Sequence, residues 1–382
     1  WGVYLNDFMR LMGWNANTNL TFGSFHIDIA PIIIVAFFTT LLVFGTKIGA
    51  RVDGAMTVLK IAIVFFVVIV GFFYVKASNF TPFIPPSQPA STVEGSSAVT
   101  GVMTQPLWQF ATGMTPSVYG VPGILSGAAF VFFAFIGFDV VATASEETKN
   151  PHKNVPLGIG VGMLLIIVMY MLVAVVTTGM VSYADLAKQD SPSLATAFEL
   201  VGADWAAKII SFGIVLGLAT VVMVLLLGLT RIVFAMSRDG LLPRGLSKTG
   251  KHGTPAALQI VVGAVVALVA AFFDIGVLSD MVNIGTLSAF TLVAISIPIM
   301  RKKRPDLPRA FKMPGSPWIP ILIAVANFWL MLNLSVLTWI RFVVWLVVGF
   351  AIYFGYGYWH ARLGKGDLTE TLSAETDKAV NG

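Results

Sequence analysis

Long runs of apolar residues alternate with short polar segments along most of the chain. A helix that spans a bilayer needs about 20 mainly apolar residues, because each residue rises about 1.5 Å across a hydrocarbon core of about 30 Å. The sequence contains about nine such runs, at 29–46, 55–75, 123–145, 157–181, 206–236, 256–273, 279–299, 318–338 and 341–360. The runs are continuously apolar, whereas the strands of a membrane β-barrel would alternate over about ten residues. The pattern therefore predicts an all-α polytopic membrane protein.

The composition points to the same class. Of the 382 residues, 57% are hydrophobic and only 11% are charged, against roughly 45–50% and about 25% in soluble domains. So few charges cannot cover a soluble body of this size, which excludes soluble enzymes, nucleic-acid-binding proteins and disordered proteins. Cysteine is absent, which excludes disulfides and thiolate metal sites. The sequence has no phosphate-binding Gly-Lys-Ser/Thr loop, and its four histidines share no ligand spacing. It therefore predicts no enzyme, cofactor or metal site.

Lysine and arginine are distributed unequally between the two sets of connections. Alternate connections are rich in them, as in the basic loop at 301–317, and the others hold few. The rich side is cytoplasmic by the positive-inside rule. The net charge of +5 is therefore a topology signal. We expect a multi-pass protein of the cell membrane whose polar C-terminal tail, 361–382, lies in the cytoplasm.

Two polar segments lie on the external side of this topology. Residues 1–28 form an external stub, and the chain begins with Trp1 without a signal peptide to carry the stub across the membrane. We therefore expect an odd number of further spans upstream of residue 1. Residues 77–121 form a long external loop rich in Ser, Thr, Pro and Gly. We expect this loop to be mobile, with Trp108 as its interfacial anchor.

One apolar run, 123–145, departs from an ordinary membrane helix. It places four Phe before Gly137 near mid-membrane and Asp139 two residues later, and Gly weakens a helix interior by about 1 kcal/mol. If the helix opens near 133–137, the freed main-chain groups must line a polar cavity. Its carbonyls would attract a cation and its N–H groups an anion, which suits a zwitterion such as an amino acid. The alternative is a glycine that only eases helix packing.

Four ionisable residues are candidates for proton coupling or gating. Lys60 lies inside the run 55–75; burial favours its neutral form and would make it a reversible proton carrier. Alternatively, its stem reaches the headgroups by snorkelling. Asp139 is a costly intramembrane carboxylate, and it is either a protonation or gating site or a group that reaches the cytoplasmic surface. Glu146 and Glu147 end the same helix before Asn150 and Pro151; they are either interfacial residues or candidates for gating.

Several motifs resemble those of amino acid–polyamine–organocation permeases, and the match is closest to the cationic amino acid transporter branch. Residues 132–139 and 146–151 resemble the sixth helix of these permeases and the loop after it. Residues 237–243 resemble the cytoplasmic end of the eighth helix, 283–287 the tenth helix, and 304–311 the loop that follows. The motifs occur in the order that the family has, which makes the set specific.

The resemblance implies a partial inverted-repeat fold of two five-helix repeats and two extra helices. On this mapping, 29–76 holds the last two helices of the first repeat. The second repeat is 122–300, with a broken helix at 132–138, and the two C-terminal helices lie in 318–360. The family's first three helices would precede residue 1.

The resemblance also implies a proton-coupled secondary transporter that carries amino acids across the lipid bilayer by alternating access, with cationic amino acids as the substrate class. The substrate half-site would consist of Phe132, Phe133, Ala134, Phe135, Ile136 and Gly137. Carbonyls of Phe132, Phe133 and Phe135 would bind the substrate ammonium, and Phe133 would be an aromatic lid. Lys60 matches the fifth-helix lysine proposed as the proton carrier. The alternatives are a passive channel or facilitator and a truncated membrane component that does not transport.

Overall fold

The computed structural model describes residues 1–14, 18–22, 25–44, 46–92, 101–138, 141, 148, 150–189, 192–248, 255–273, 275–306, 309 and 312–361. Its helices are α1 (Gly2–Leu11), α2 (Ile29–Phe44), α3 (Thr46–Phe72), α4 (Leu107–Thr112), α5 (Gly120–Val131), α6 (Pro151–Met180), α7 (Tyr183–Ala187), α8 (Leu194–Leu200), α9 (Asp204–Arg238), α10 (Ala256–Phe272), α11 (Ile275–Lys303), α12 (Trp318–Leu332), α13 (Val336–Ile352) and α14 (Tyr358–His360). Short strands are β1 (Asn19–Phe22), β2 (Phe25–Asp28), β3 (Gln88–Pro89) and β4 (Ser117–Val118), and they pair as the antiparallel hairpin β1–β2 and the pair β3–β4.

Nine apolar helices lie within the described residues, one on each predicted run. Five are long enough to cross a membrane: Gly54–Phe72, Lys153–Met180, Asp204–Arg238, Ile275–Lys303 and Val336–His360. Four are shorter: Ile29–Phe44, Gly120–Phe135, Ala256–Phe272 and Trp318–Leu332. The prediction of an all-α polytopic membrane protein is confirmed.

The chain divides into two compact units, and the first comprises 1–17, 56–217 and 273–342. One core of this unit lies between α3, α6, α8 and α9, where Val67, Val176, Phe198 and Ile210 are almost fully buried. The approach of α3 to α6 and α8 depends on Gly71, because a Cβ there would lie 2.5 Å from a methyl group of Val176. A small residue thus lets the backbone of α3 come close to its neighbours.

Helix α1, which the sequence placed in an external stub, packs on α9 in the first unit. The Trp1 indole Nε1 donates to the Val215 carbonyl at 2.9 Å, and the ring of Phe8 lies 5.7 Å from that of Phe212. Arg10 forms an ion pair of 3.2 Å with Glu199 on α8. These contacts attach α1 to α8 and α9, which lie far from it in the sequence.

Part of the long external loop is bonded to the turn between α12 and α13, also in the first unit. The Val336 N–H donates to the Gln105 carbonyl (3.1 Å) and the Leu337 N–H to the Met103 carbonyl (2.8 Å). In return, the Leu107 N–H donates to the Leu334 carbonyl (3.0 Å). The first N–H groups of a helix have no partner inside it, and here loop carbonyls bond them. The composition of the loop did not predict these hydrogen bonds.

The second unit comprises 18–55, 218–272 and 343–382. Here α2 and α10 pack against each other. Thr39 of α2 lies directly over Gly263 of α10, and a larger residue at position 263 would collide with Thr39. Asp28, the last residue of β2, accepts hydrogen bonds from the Ala30 N–H and the Thr18 hydroxyl, both at 3.0 Å. A carboxylate at this place satisfies an unpaired donor at the start of α2.

The glycines of α9 provide a test of the packing in the first unit. A side chain at Gly213 would collide with Ile63 of α3, so Gly213→Leu should destabilise the protein by roughly 1–3 kcal/mol through overpacking. The measurement is thermal unfolding of the purified full-length protein in detergent. Gly349→Leu is the matched control, because nothing in the described part of the chain lies within 4 Å of a Cβ at Gly349. Equal melting temperatures for the two variants would contradict this packing.

Candidate functional site

The helix that begins at Gly120 is not continuous through residue 138. The α-helical part ends at Val131, and Phe132–Phe135 form a tighter 3₁₀ turn. Ile136 is then extended, with φ −68° and ψ 137°, and Gly137 has a φ of +117°. A residue with a Cβ rarely adopts such a φ, and glycine adopts it without steric cost. The sequence thus favours an interruption at the position where the structure has it.

Side chains from neighbouring helices donate to main-chain carbonyls at this break. In an uninterrupted α-helix each carbonyl accepts from the N–H four residues later, whereas here the Ile136 N–H donates to the Phe133 carbonyl at 3.2 Å. The Ala134 carbonyl accepts from the Tyr170 hydroxyl of α6 at 2.8 Å. These donors matter because a main-chain group inside a membrane has no water to bond.

Helix α11 contacts the chain on both sides of the break. The Asn283 side-chain amide donates to the Phe130 carbonyl at 3.4 Å. Two turns further along α11, the ring of Phe290 lies 6.1 Å from that of Phe132 and 5.3 Å from that of Phe138. Residues seven apart share one face of a helix, so a single face of α11 holds the two ends of the interrupted segment.

An apolar cluster fixes the helix that leads into the break. Ala129, Ile284 and Leu287 are 0% exposed and pack together with Met331 of α12. Close-packed side chains of this kind resist displacement. The last turn of α5 therefore has a fixed position against α11 and α12, and the 3₁₀ turn begins from a rigid base.

The predicted substrate residues differ in their exposure. Phe132, Phe135, Ile136 and Gly137 are half-buried, and Ala134 is exposed. The ring of Phe135 lies 5.1 Å from that of Tyr170. Phe133, the predicted lid, keeps 40% of its surface exposed.

The predicted proton-coupling and gating residues differ in what the structure describes of them. Lys60 is half-buried on α3, and its aliphatic carbons lie 3.5–3.9 Å from the position of a Cβ at Gly217 on α9. The absence of a side chain at Gly217 thus leaves space for the lysine stem between the two helices. Asp139, Glu146 and Glu147 lie outside the described residues.

Asn283 lies in the motif 283–287, but nothing in the sequence assigned it, Tyr170 or Phe290 to the break. Asp280 was also missed, although an acid at the second position of the predicted run 279–299 is readily seen in the sequence. The Asp280 carboxylate accepts from the Thr338 hydroxyl of α13 at 3.1 Å, and that hydroxyl lies 2.8 Å from the Ser335 hydroxyl. This chain of polar groups links α11 to the start of α13. Among the described residues, no group of three His, Asp or Glu side chains is placed to hold a metal ion.

Comparisons of the sequence with known proteins identify its family. A family model described as amino acid permease matches residues 3–357. The chain is 39% identical over 373 residues to the branched-chain amino acid permease BcaP of Bacillus subtilis (strain 168), a match that covers 96% of this chain and 73% of BcaP. It is 38% identical over 334 residues to the methylthioribose transporter of the same organism, which covers 87% of this chain and 65% of that protein.

A plant relative is also similar. The chain is 34% identical over 281 residues to the vacuolar cationic amino acid transporter 4 of Arabidopsis thaliana, covering 73% of this chain and 42% of that protein. The chain thus spans between 42% and 73% of the length of these three relatives.

Tyr170→Phe tests the hydrogen bond at the break. The variant keeps the ring beside Phe135 but removes the donor to the Ala134 carbonyl, which is worth about 1–2 kcal/mol. We expect the affinity of the full-length protein for its substrate to fall roughly 5- to 30-fold, measured by binding to purified protein. Tyr183→Phe is the control, because this ring packs against Tyr119 away from the break. An unchanged affinity in Tyr170→Phe would show that the donor is not needed.

Proposed function

Because this chain belongs to the amino acid permease family, a family of transporters and not of enzymes, we propose that it forms part of a secondary active amino acid transporter. Transport would proceed by alternating access around the break at 132–138. The observation that carries this proposal is the interrupted helix, whose carbonyls at Phe130 and Ala134 bond to side chains of other helices. In secondary transporters, the main-chain dipoles at such an interruption bind substrates and coupling ions.

The chemistry of the break suits a zwitterion. Carbonyl oxygens at the end of one helical segment carry partial negative charge and attract an ammonium group. Aromatic rings of Phe132, Phe133 and Phe135 would exclude water around the ligand and strengthen these interactions. The amino acid's side chain would then rest against an apolar wall.

Lys60 is the proposed proton carrier. Its stem lies beside Gly217, between α3 and α9, and an ionisable residue within a membrane span is by default a candidate for function. Protonation would favour one orientation of the transporter only if Lys60 has different contacts in the two orientations. Coupling therefore depends on contacts of its Nζ that change during the cycle.

Two substrate classes have support. The resemblance to cationic amino acid transporters and the Arabidopsis relative favour a basic substrate, whereas BcaP favours a branched-chain one. A buried cationic side chain needs an acidic partner. Of the described residues, those that contact the break contribute Phe, Tyr, Asn and aliphatic groups. We therefore propose a neutral, apolar amino acid as the preferred substrate.

Lys60→Met tests the coupling. It should abolish leucine accumulation driven by a pH gradient in vesicles containing the full-length protein, while exchange of internal for external leucine continues. Lys76→Met is the matched control, since Lys76 follows the C-terminal end of the same helix, on the side that the sequence predicts to be external. Accumulation that remains at the wild-type level in Lys60→Met would remove this lysine from the mechanism.

Competition in the same vesicles tests the substrate class. Excess unlabelled leucine should suppress uptake of labelled leucine much more than excess arginine does. Stronger suppression by arginine would favour the cationic class. Leucine that equilibrates without ever concentrating would indicate a passive facilitator, and the absence of any uptake would contradict the transporter proposal.

A further inference from the structure

Asn283 combines complete burial with an unused acceptor. It is 0% exposed, and its side-chain nitrogen donates to the Phe130 carbonyl at the start of the break. Its Oδ1, however, has no hydrogen-bond partner within the described parts of the chain. Leaving a buried acceptor unpaired costs about 1–3 kcal/mol, and such an atom in a native protein calls for a specific explanation.

Asn333 provides a comparison for the side-chain hydrogen bond of Asn283. Asn333 is also nearly buried, and its Oδ1 is likewise unpartnered among the described residues. Its nitrogen, however, donates at 2.8 Å to the Trp329 carbonyl one turn back in the same helix. The Asn283 bond is 3.4 Å long and crosses to another helix. The Asn283 bond is longer than the usual range of about 2.7–3.2 Å and is therefore weak.

The position of Asn283 identifies the kind of ligand. Its oxygen is a neutral acceptor, and it lies on the face of α11 that also carries Phe290 against the break. An ammonium group has three N–H donors and no acceptor, so it needs several oxygens at once. The carbonyls of the break provide some of them, and Asn283 is placed to provide one more.

We propose that Asn283 is a substrate-binding residue whose Oδ1 accepts one N–H of the substrate's α-ammonium group, while its amide nitrogen positions the Phe130 carbonyl. This inference rests on the proposed function, since it assigns a contact within the same amino acid site. One side chain would then both fix the end of α5 and bind the ligand.

The experiment uses a cycle of two proteins and two ligands. Wild-type and Asn283→Leu full-length proteins are each titrated with leucine and with N-methylleucine, which keeps the positive charge but has one N–H fewer. Loss of a hydrogen bond to a charged group should weaken leucine binding in Asn283→Leu about 10- to 100-fold. In the wild type, N-methylation removes an N–H that would donate to an acceptor in the site, so the protein should bind N-methylleucine more weakly than leucine. In the variant the methyl group points to the place left by Asn283, and the penalty for N-methylation should shrink at least several-fold.

Asn333→Leu is the matched control and should leave both the leucine affinity and the penalty for N-methylation at wild-type values. An equal penalty in wild type and Asn283→Leu would overturn the inference, because a purely structural role changes both affinities alike. If Asn283→Leu does not fold, Asn283→Ala is compared by the same ratio. A wild-type protein that binds neither leucine nor arginine would contradict the proposed function, and this inference with it. Wild-type binding with an unchanged ratio would contradict the inference alone.

Discussion

A main-chain carbonyl inside a membrane must have a donor, and the arrangement around residues 130–138 follows from this requirement. An unbroken helix such as α6 meets it within itself. The segment after Val131 does not, since Ile136 is extended and Gly137 takes a positive φ. The donors come instead from Tyr170 and from Asn283, on two different helices. The carbonyls at the interruption are thus bonded by side chains from two other helices, α6 and α11.

The packing around this interruption separates rigid from adaptable parts. Ala129 and its neighbours on α11 and α12 are fully buried and hold the end of α5. Phe133, beyond the end of α5, is 40% exposed. Recognition of a small solute would need both kinds of part, because fixed dipoles bind without a reorganisation cost and a movable side chain would let the solute enter.

The membrane-spanning architecture could be predicted from the sequence because lipid demands long apolar runs, and all nine described apolar helices lie on predicted ones. The amino acid permease family was predicted from motifs and is confirmed by the family match. The partners of the break could not be predicted. Tyr170 lies 36 residues from Ala134, and Asn283 lies 153 residues from Phe130. Neither residue type is unusual in a membrane helix. Such pairs depend on tertiary packing, which local pattern does not encode. The docked part of the external loop was missed for the same reason, since its bonds use main-chain atoms.

The main-chain hydrogen bonds between this loop and the start of α13 determine which sequence changes the protein tolerates over evolutionary time. Carbonyls of Met103 and Gln105 receive the first N–H groups of α13, and the Leu107 N–H completes the pairing. Every amino acid supplies a carbonyl, so substitutions at Met103 and Gln105 preserve these bonds. Inserting or deleting a single residue between positions 103 and 107 would shift the register and leave the helix start without acceptors. Because these bonds use main-chain atoms, they constrain the length of this stretch, and related chains should keep that length constant.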